Sequence, residues 1–259
     1  MRPLVFLLLL SLAAGAQEGR INTDNPSIST SSYTVGQGVV QREASFDYAS
    51  GKTAPRANRR RISGDEGEED AENDLYSLPQ LFRIGLTDNV ELRLGTGGLS
   101  FQGPRQGLDD LNVGAKWNFY NDGELALGVT ATAYLPTGTP GFRSPVILPD
   151  AVFSLDYNLN DDNSVGFNLG GGLGYDDGVP FVQGLVTFDY MHDFGEDVSG
   201  YVELAFDGPG TFGGPLETTV DAGLSFYMTD DFVVNLAVFR GLSSTGVDWG
   251  GTFGFGARL

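Results

Sequence analysis

The sequence predicts an all-β protein: a single antiparallel up-and-down transmembrane β-barrel of about 12 strands. Three observations carry this. Apolar and polar residues alternate with period 2 in segment after segment. Most of these segments run about 9–13 residues, the length of a tilted strand crossing a bilayer, whereas ordinary globular strands are nearer five or six. The connections alternate between long and short, as when short turns lie on one side of a membrane and longer loops on the other.

The chain opens with "MRPLVFLLLLSLAAGAQ". A charged start at Arg2, an apolar run from Leu4 to Leu12 and a small-x-small end at Ala14-Gly15-Ala16 make residues 1–16 a secretory signal peptide, cleaved near Ala16. The apolar run is too short to span a bilayer. Residues 17–38, rich in Ser, Thr and Asn, read as an extended N-terminal segment, placed either inside the barrel or in the periplasm. The barrel itself occupies residues 39–259. No later stretch is long and apolar enough for a transmembrane helix, and only helices and closed barrels satisfy their backbone groups in lipid.

Strands are expected near 39–49, 75–86, 89–97, 109–120, 123–135 and 150–159, then 164–174, 180–191, 198–206, 216–227, 232–240 and 247–259. The first link, 50–74, is long and the second, at Thr87-Asp88, is tight. Residues 98–108 form a longer connection, 121–122 a tight one, and 136–149 a long one. The turns at 160–163, "DFGED" and "TDD" (229–231) are short. Only 175–179 is brief where a long loop is expected. An even strand count brings both ends to one side.

The stretch "GELALGVTATAYLP" (123–136) poses the question of which face is inside. Leu125, Leu127, Val129, Ala131, Ala133 and Leu135 share one parity; Glu124, Thr130, Thr132 and Tyr134 share the other. In a membrane barrel the first set faces lipid and the second faces the lumen. The same parity puts charges on the lumen side of most strands. Arg83, Arg93 and Lys116 form a basic wall on the second to fourth strands. Asp156, Asp189, Glu203, Glu217 and Asp221 form an acidic wall on the sixth to tenth. Glu43, Asp47, Glu91 and Arg258 add to the lining. The two walls face each other across the lumen. They either set a transverse field in a narrow pore or pair across it and fill it. Aromatic residues gather beside the short turns, namely Trp117, Phe119, Tyr157, Tyr190, Phe226 and Phe232, as a membrane interface selects.

Composition narrows the function. The formal charge is −19, and losing Arg2 with the signal peptide makes it −20, so nucleic acid is excluded as a partner. There is no Cys and one His, His192, which leaves no disulfide framework or thiolate metal site. His192 sits in "YMHDFGED" at a short turn, near Asp193, Glu196 and Ser199, without a nucleophile motif, so no enzyme activity is expected. The glycine-rich stretches "NLGGGLG" (168–174) and "GTFGFG" (251–256) open no helix and read as strand glycines rather than nucleotide loops. The basic run 56–61, "RANRRR", and acidic run 63–74, "SGDEGEEDAEND", read as a solvated outer loop or as a surface for divalent cations or lipid phosphates. No EF-hand spacing is present, and no cofactor or metal is expected.

Several blocks carry a resemblance. "TDNPSISTSSYTVGQGVVQREASFDYA" (23–49), "LPQLFRIGLTDNVELRLG" (78–95), "GLDDLNVGAKWNF" (107–119) and "YLPTGTPG" (134–141) are four of them. "FSLDYNLNDDNSVGFNLGGG" (153–172) and "LSFYMTDDFVVNLAVFRGLSSTGVDWGGTFGFGARL" (224–259) complete the set. Together they resemble the outer-membrane transporters named for the meta-pathway of phenol degradation, over nearly all of the mature chain. The resemblance implies an outer-membrane barrel of a two-membraned bacterium, in contact with outer-membrane lipid. It also implies passage of small-molecule solutes, aromatic ones by the family's name, and no catalytic residues. The alternative is a structural or adhesive barrel with a closed lumen. Such barrels usually end in an aromatic residue read by the barrel-insertion machinery; this chain has Phe253 and Phe255 in phase but ends in Leu259.

Overall fold

The computed structural model describes residues 19–50, 74–176, 179–209, 216–243 and 247–259. The expected signal peptide (1–16) and nearly all of the charged run at 56–74 lie outside the described residues. Fifteen strands form one sheet. In chain order they are β1 (Val40–Ser50), β2 (Leu75–Ser77), β3 (Gln80–Thr87), β4 (Val90–Thr96), β5 (Leu99–Gln102), β6 (Arg105–Leu108), β7 (Leu111–Asn121) and β8 (Leu125–Tyr134). Then come β9 (Leu148–Asn160), β10 (Asn163–Asp176), β11 (Val179–Asp193), β12 (Val198–Pro209), β13 (Glu217–Thr229), β14 (Phe232–Gly241) and β15 (Trp249–Arg258).

Twelve of them close into an antiparallel barrel, in the order β1, β3, β4 and then β7 to β15, with β15 returning to pair with β1. The seam runs in register from Gln41 opposite Arg258 to Ser50 opposite Trp249. The alternation read from the sequence therefore does specify a 12-stranded barrel. Both ends of the barrel chain lie at the short-turn end.

Polarity is inverted relative to a soluble fold. Leu94, Leu111, Trp117, Leu169, Val202 and Phe253 stand exposed on the outer face, while Arg83, Glu91, Lys116, Thr187 and Asn235 are fully buried inside. An apolar exterior around a charged interior is stable only where the outer solvent is hydrocarbon. The greasy face of 125–135 points outward, while Ala126, Gly128 and Thr130 lie buried within.

The expected strand 75–86 is divided. Its outer part is β2 and its inner part β3, separated at Leu78-Pro79, because proline supplies no N–H for a continuous ladder. The expected connection 98–108 is not a plain loop either. It holds the hairpin β5–β6, which continues the sheet β1–β2–β5–β6 beyond the barrel rim. Its strands are only four residues each, too short to show alternation.

The long link after β8 folds onto this extension through Asp110, a buried carboxylate at the rim. It accepts from the backbone N–H of Thr137 (3.0 Å), Gly138 (2.9 Å) and Ser144 (2.8 Å), and from the Ser144 hydroxyl. Phe142 packs over Gly107, where a Cβ would come within 2.5 Å of its ring. So the "GLDDLN" and "LPTGTPG" blocks are joined in space. Asp110→Ala should unfasten residues 135–147 while the barrel stays folded. Losing a few charge-assisted bonds, about 1.5 kcal/mol or more net, should speed tryptic cleavage after the exposed Arg143 by about ten-fold or more. An unchanged cleavage rate would show that the loop is held elsewhere.

At the opposite rim the turns are tight. In the β7–β8 turn the Asp122 carboxylate caps the backbone N–H of Leu125 and Glu124 at 2.8 and 3.0 Å. The Leu125 N–H first, then the Tyr120 hydroxyl and the Glu124 N–H, hold its carboxyl below the usual range.

Candidate functional site: the lumen and the segment seated in it

Residues 19–38 lie inside the barrel. They enter at the short-turn end, where the Ile21 N–H donates to Asp230 O at 2.7 Å and Arg258 Nη1 donates to Gly19 O at 2.9 Å. Arg20 pairs with Asp193 and lies over the Tyr227 ring, 4.2 Å from its centroid. The segment then runs round the inner wall. Ile28 N–H donates to Glu203 on β12 at 2.8 Å, and Thr30 exchanges two bonds with the Asn168 amide on β10. Ser32 N–H donates to Asp156 on β9 at 2.7 Å, and Asn118 on β7 donates back to Ser32 O at 3.1 Å. Val35 N–H reaches Glu91 on β4 at 2.9 Å before Gly38 joins β3 at Gly85 O. A polar chain without regular structure must find partners for its N–H and C=O groups when buried, and the lumen side chains provide them.

The three basic residues converge on one cluster. Arg83 is fully buried and donates Nε and Nη2 to the two Glu91 oxygens at 2.9 and 3.0 Å, a bidentate fork. Its Nη1 also reaches Glu43 Oε1 and Asn22 O, both at 3.1 Å, and its Nη2 reaches Tyr33 O at 2.8 Å. Arg93 donates to Glu91 at 2.7 Å and to Asp24. Lys116 Nζ lies 3.1 Å from Asp24 Oδ1 and donates to Tyr33 O at 3.3 Å. Three cations thus meet three carboxylates: Glu43, Glu91 and, from the segment, Asp24. Among the described residues no ion pair joins these cations to β9–β13; their partners are on neighbouring strands and in the segment.

The acidic residues follow the sheet register. Asp189 is opposite Glu203, Glu203 is opposite Asp221, and Asp156 and Asp189 flank Gly166 on its two sides. A Cβ on Gly166 would lie 2.2 Å from Asp189 Oδ2, so the Asp189 carboxylate occupies the space over that glycine. Asp221 also accepts from the Tyr201 hydroxyl at 3.0 Å. Glu217 is set apart, at the outer end of β13 opposite Asp207.

Two glycines make room for the segment. A Cβ on Gly85 would lie 1.6 Å from Gly36 O, and one on Gly128 would lie 2.9 Å from Ser32 O and 3.1 Å from Ser32 Cα. Gly128→Val should therefore push the segment from its seat without altering a charge. The expected result is a larger conductance in a planar bilayer, with residues 19–38 newly open to protease. A variant with unchanged conductance and protection would mean that the segment yields locally instead.

Between the segment and the short-turn rim is a cavity of ≈ 290 Å³, lined by Arg20, Asn22, Tyr33, Gln41, Asn118 and Arg258 among others. Trp117, Phe119, Tyr190 and Phe232 stand on the outer face, with Trp117 and Phe119 in ring contact at 5.5 Å; Tyr157 and Phe226 are partly covered. His192 Nδ1 lies 2.9 Å from Asn163 Oδ1, and its ring meets Phe194 edge-on. Among the described residues, no group of three or more His, Asp or Glu is placed to hold a metal ion. Asp24 had no signal in the alternation, because it lies in a segment with no period. The one available clue was the surplus of cations on the second to fourth strands.

The fold has solved counterparts. The COG4313 outer membrane channel from Pseudomonas putida F1 superposes with a TM-score of 0.66, covering 90% of this chain and 100% of that one at 13% identity. The KdgM porin gives 0.57 at 10% identity, covering 84% and 99%. The CymD monoaromatic hydrocarbon channel gives 0.50 at 8% identity, covering 87% and 89%. At such identities the likeness is one of fold. Among curated proteins, none matches the sequence. A family model does, from residue 23 to residue 259, and the chain belongs to that family, described as "Putative MetA-pathway of phenol degradation".

Proposed function

We propose that the protein is an outer-membrane channel for small molecules, with residues 19–38 as the constriction. One observation carries the reading: the lumen is built largely from charged and polar side chains, and the segment that occupies it, while burying Ile21 and Val35, is held along its length by hydrogen bonds and ion pairs. Such a seat can be vacated into water; an apolar one cannot without a large cost. Arg83, Arg93 and Lys116, with Asp156, Asp189, Glu203, Glu217 and Asp221, are then the pore lining. Trp117, Phe119, Tyr157, Tyr190, Phe226 and Phe232 form the belt at the lipid interface. Outer-membrane lipid and the insertion machinery are its partners in place and in assembly. The family description and the name of the CymD monoaromatic hydrocarbon channel support aromatic compounds as solutes.

The seated segment also supports a second reading, a closed structural or adhesive barrel. Conductance decides between them. The folded mature chain is recorded in a planar bilayer beside a variant lacking residues 19–37, and both are assayed for uptake of phenol into liposomes. The channel reading expects discrete steps that grow several-fold on deletion, and faster phenol uptake. A folded, segment-free barrel that stays silent would establish the closed one.

A further inference from the structure

We infer that the carboxylate row Asp189–Glu203–Asp221, with Asp156 across Gly166, is the cation-selecting wall of the pore, covered in part by residues 28–32 and exposed when the segment leaves. The inference rests on the channel reading and names the charge class of solute that the lumen favours.

The register is the first ground. Like charges directly opposite on adjacent strands are unfavourable, because the Cβ atoms are about 4.5–5.5 Å apart. Here two such pairs follow one another, Asp189 opposite Glu203 and Glu203 opposite Asp221. Two of the four acids meet positive dipole from the segment, Ile28 N–H on Glu203 at 2.8 Å and Ser32 N–H on Asp156 at 2.7 Å, while Asp221 accepts from the Tyr201 hydroxyl. Among the described residues no Arg or Lys forms an ion pair with Asp156, Asp189 or Asp221. At Glu203 and Asp156 the segment's backbone therefore stands where a cation would stand.

The second ground is unpartnered oxygen. The Asp221 Oδ1 and Thr187 Oγ1 atoms are buried on this face and have no hydrogen-bond partner in the protein. Thr187 lies two residues along β11 from Asp189, on the same face. These are oxygen atoms turned to the lumen, suited to a hydrated cation or a solute donor. Because no metal-chelating group is assembled among the described residues, the wall selects ions in passage rather than retaining one.

The third ground is the balance of the opposite wall. Arg83, Arg93 and Lys116 are matched by Glu43, Glu91 and Asp24. Withdrawing the segment removes Asp24, leaving three cations with two carboxylates there and four carboxylates on the facing wall. The vacated lumen is net negative, with a field across it, and favours cations over anions.

The test is the reversal potential under a KCl gradient. The barrel lacking residues 19–37 is expected to favour K⁺ over Cl⁻ several-fold. Adding Asp189→Asn, Glu203→Gln and Asp221→Asn should abolish or invert that preference. If the deletion does not fold, Asp24→Ala in the full chain takes its place. In parallel, Thr187→Cys gives a single thiol in a chain without cysteine. A cationic thiosulfonate should modify it several-fold faster than an anionic one. A conducting, segment-free pore that prefers Cl⁻, or whose K⁺ preference survives the three neutralisations, overturns the inference and leaves the channel reading standing. Silence from that folded pore removes both.

Discussion

Replacing Arg83 by alanine should destabilise the folded barrel by about 3–5 kcal/mol, the usual cost of removing one partner from a buried charge network. Arg83 has no exposed surface and gives five hydrogen bonds, two to Glu91, one to Glu43 and two to carbonyls of the segment. Its loss leaves two buried carboxylates short of a counter-charge, and desolvation makes that more costly than the missing bonds alone. Arg83→Lys keeps the charge but not the planar fork, so it should recover only part of the loss. The measurement is a urea titration read by the gel mobility of folded and unfolded forms. A midpoint for Arg83→Ala equal to that of the native barrel would show that the lumen behaves as bulk water around this residue.

The second large effect is expected at Asp24. Its carboxylate is the segment's one charged anchor in the cluster, shared by Arg93 and Lys116 and 3.7 Å from Arg83. Asp24→Ala should raise single-channel conductance several-fold and expose residues 19–38 to protease. Charged hydrogen bonds contribute about 1.5–3 kcal/mol each, so losing two shifts the balance strongly toward the open form. Asp24→Asn keeps the shape and one acceptor, and should act in the same direction more weakly. Conductance and protection both unchanged would mean that the main-chain bonds to Glu203, Asn168 and Asp156 hold the segment unaided. Because Arg83 and Asp24 belong to one network, the stability cost of the double variant should fall short of the sum of the two single ones.

Most of the barrel was legible because each strand has one face for hydrocarbon and one for water. Leu92 and Leu94 against Glu91 and Arg93 need only their parity to be sorted. The rim was less legible. In "GLSFQGPRQGLDDL" the strands of the hairpin are too short for alternation, and the loop beside them is fastened by Asp110, acting on residues 27 to 34 positions later. Parity placed Arg83, Arg93 and Lys116 together on neighbouring strands, and Glu43 and Glu91 near them. It carried no information about Asp24, whose position follows from a chain path through the lumen. Sequence could pose the question of where three cations find counter-charge. Only the three-dimensional path of residues 19–38 answers it.

The seam between β1 and β15 also orders events in time. The partner of residues 41–50 is the stretch 249–258, so the cylinder closes only when the first and last strands meet. All six charges of the basic cluster, from Asp24 to Lys116, belong to the first half of the chain. They can neutralise one another while the sheet is still open. Seating Asp24 needs only the strands that carry Glu91, Arg93 and Lys116, so the segment can dock on that half of the sheet before the last strand closes the cylinder. A deletion of the segment should accordingly slow assembly as well as widen the finished pore.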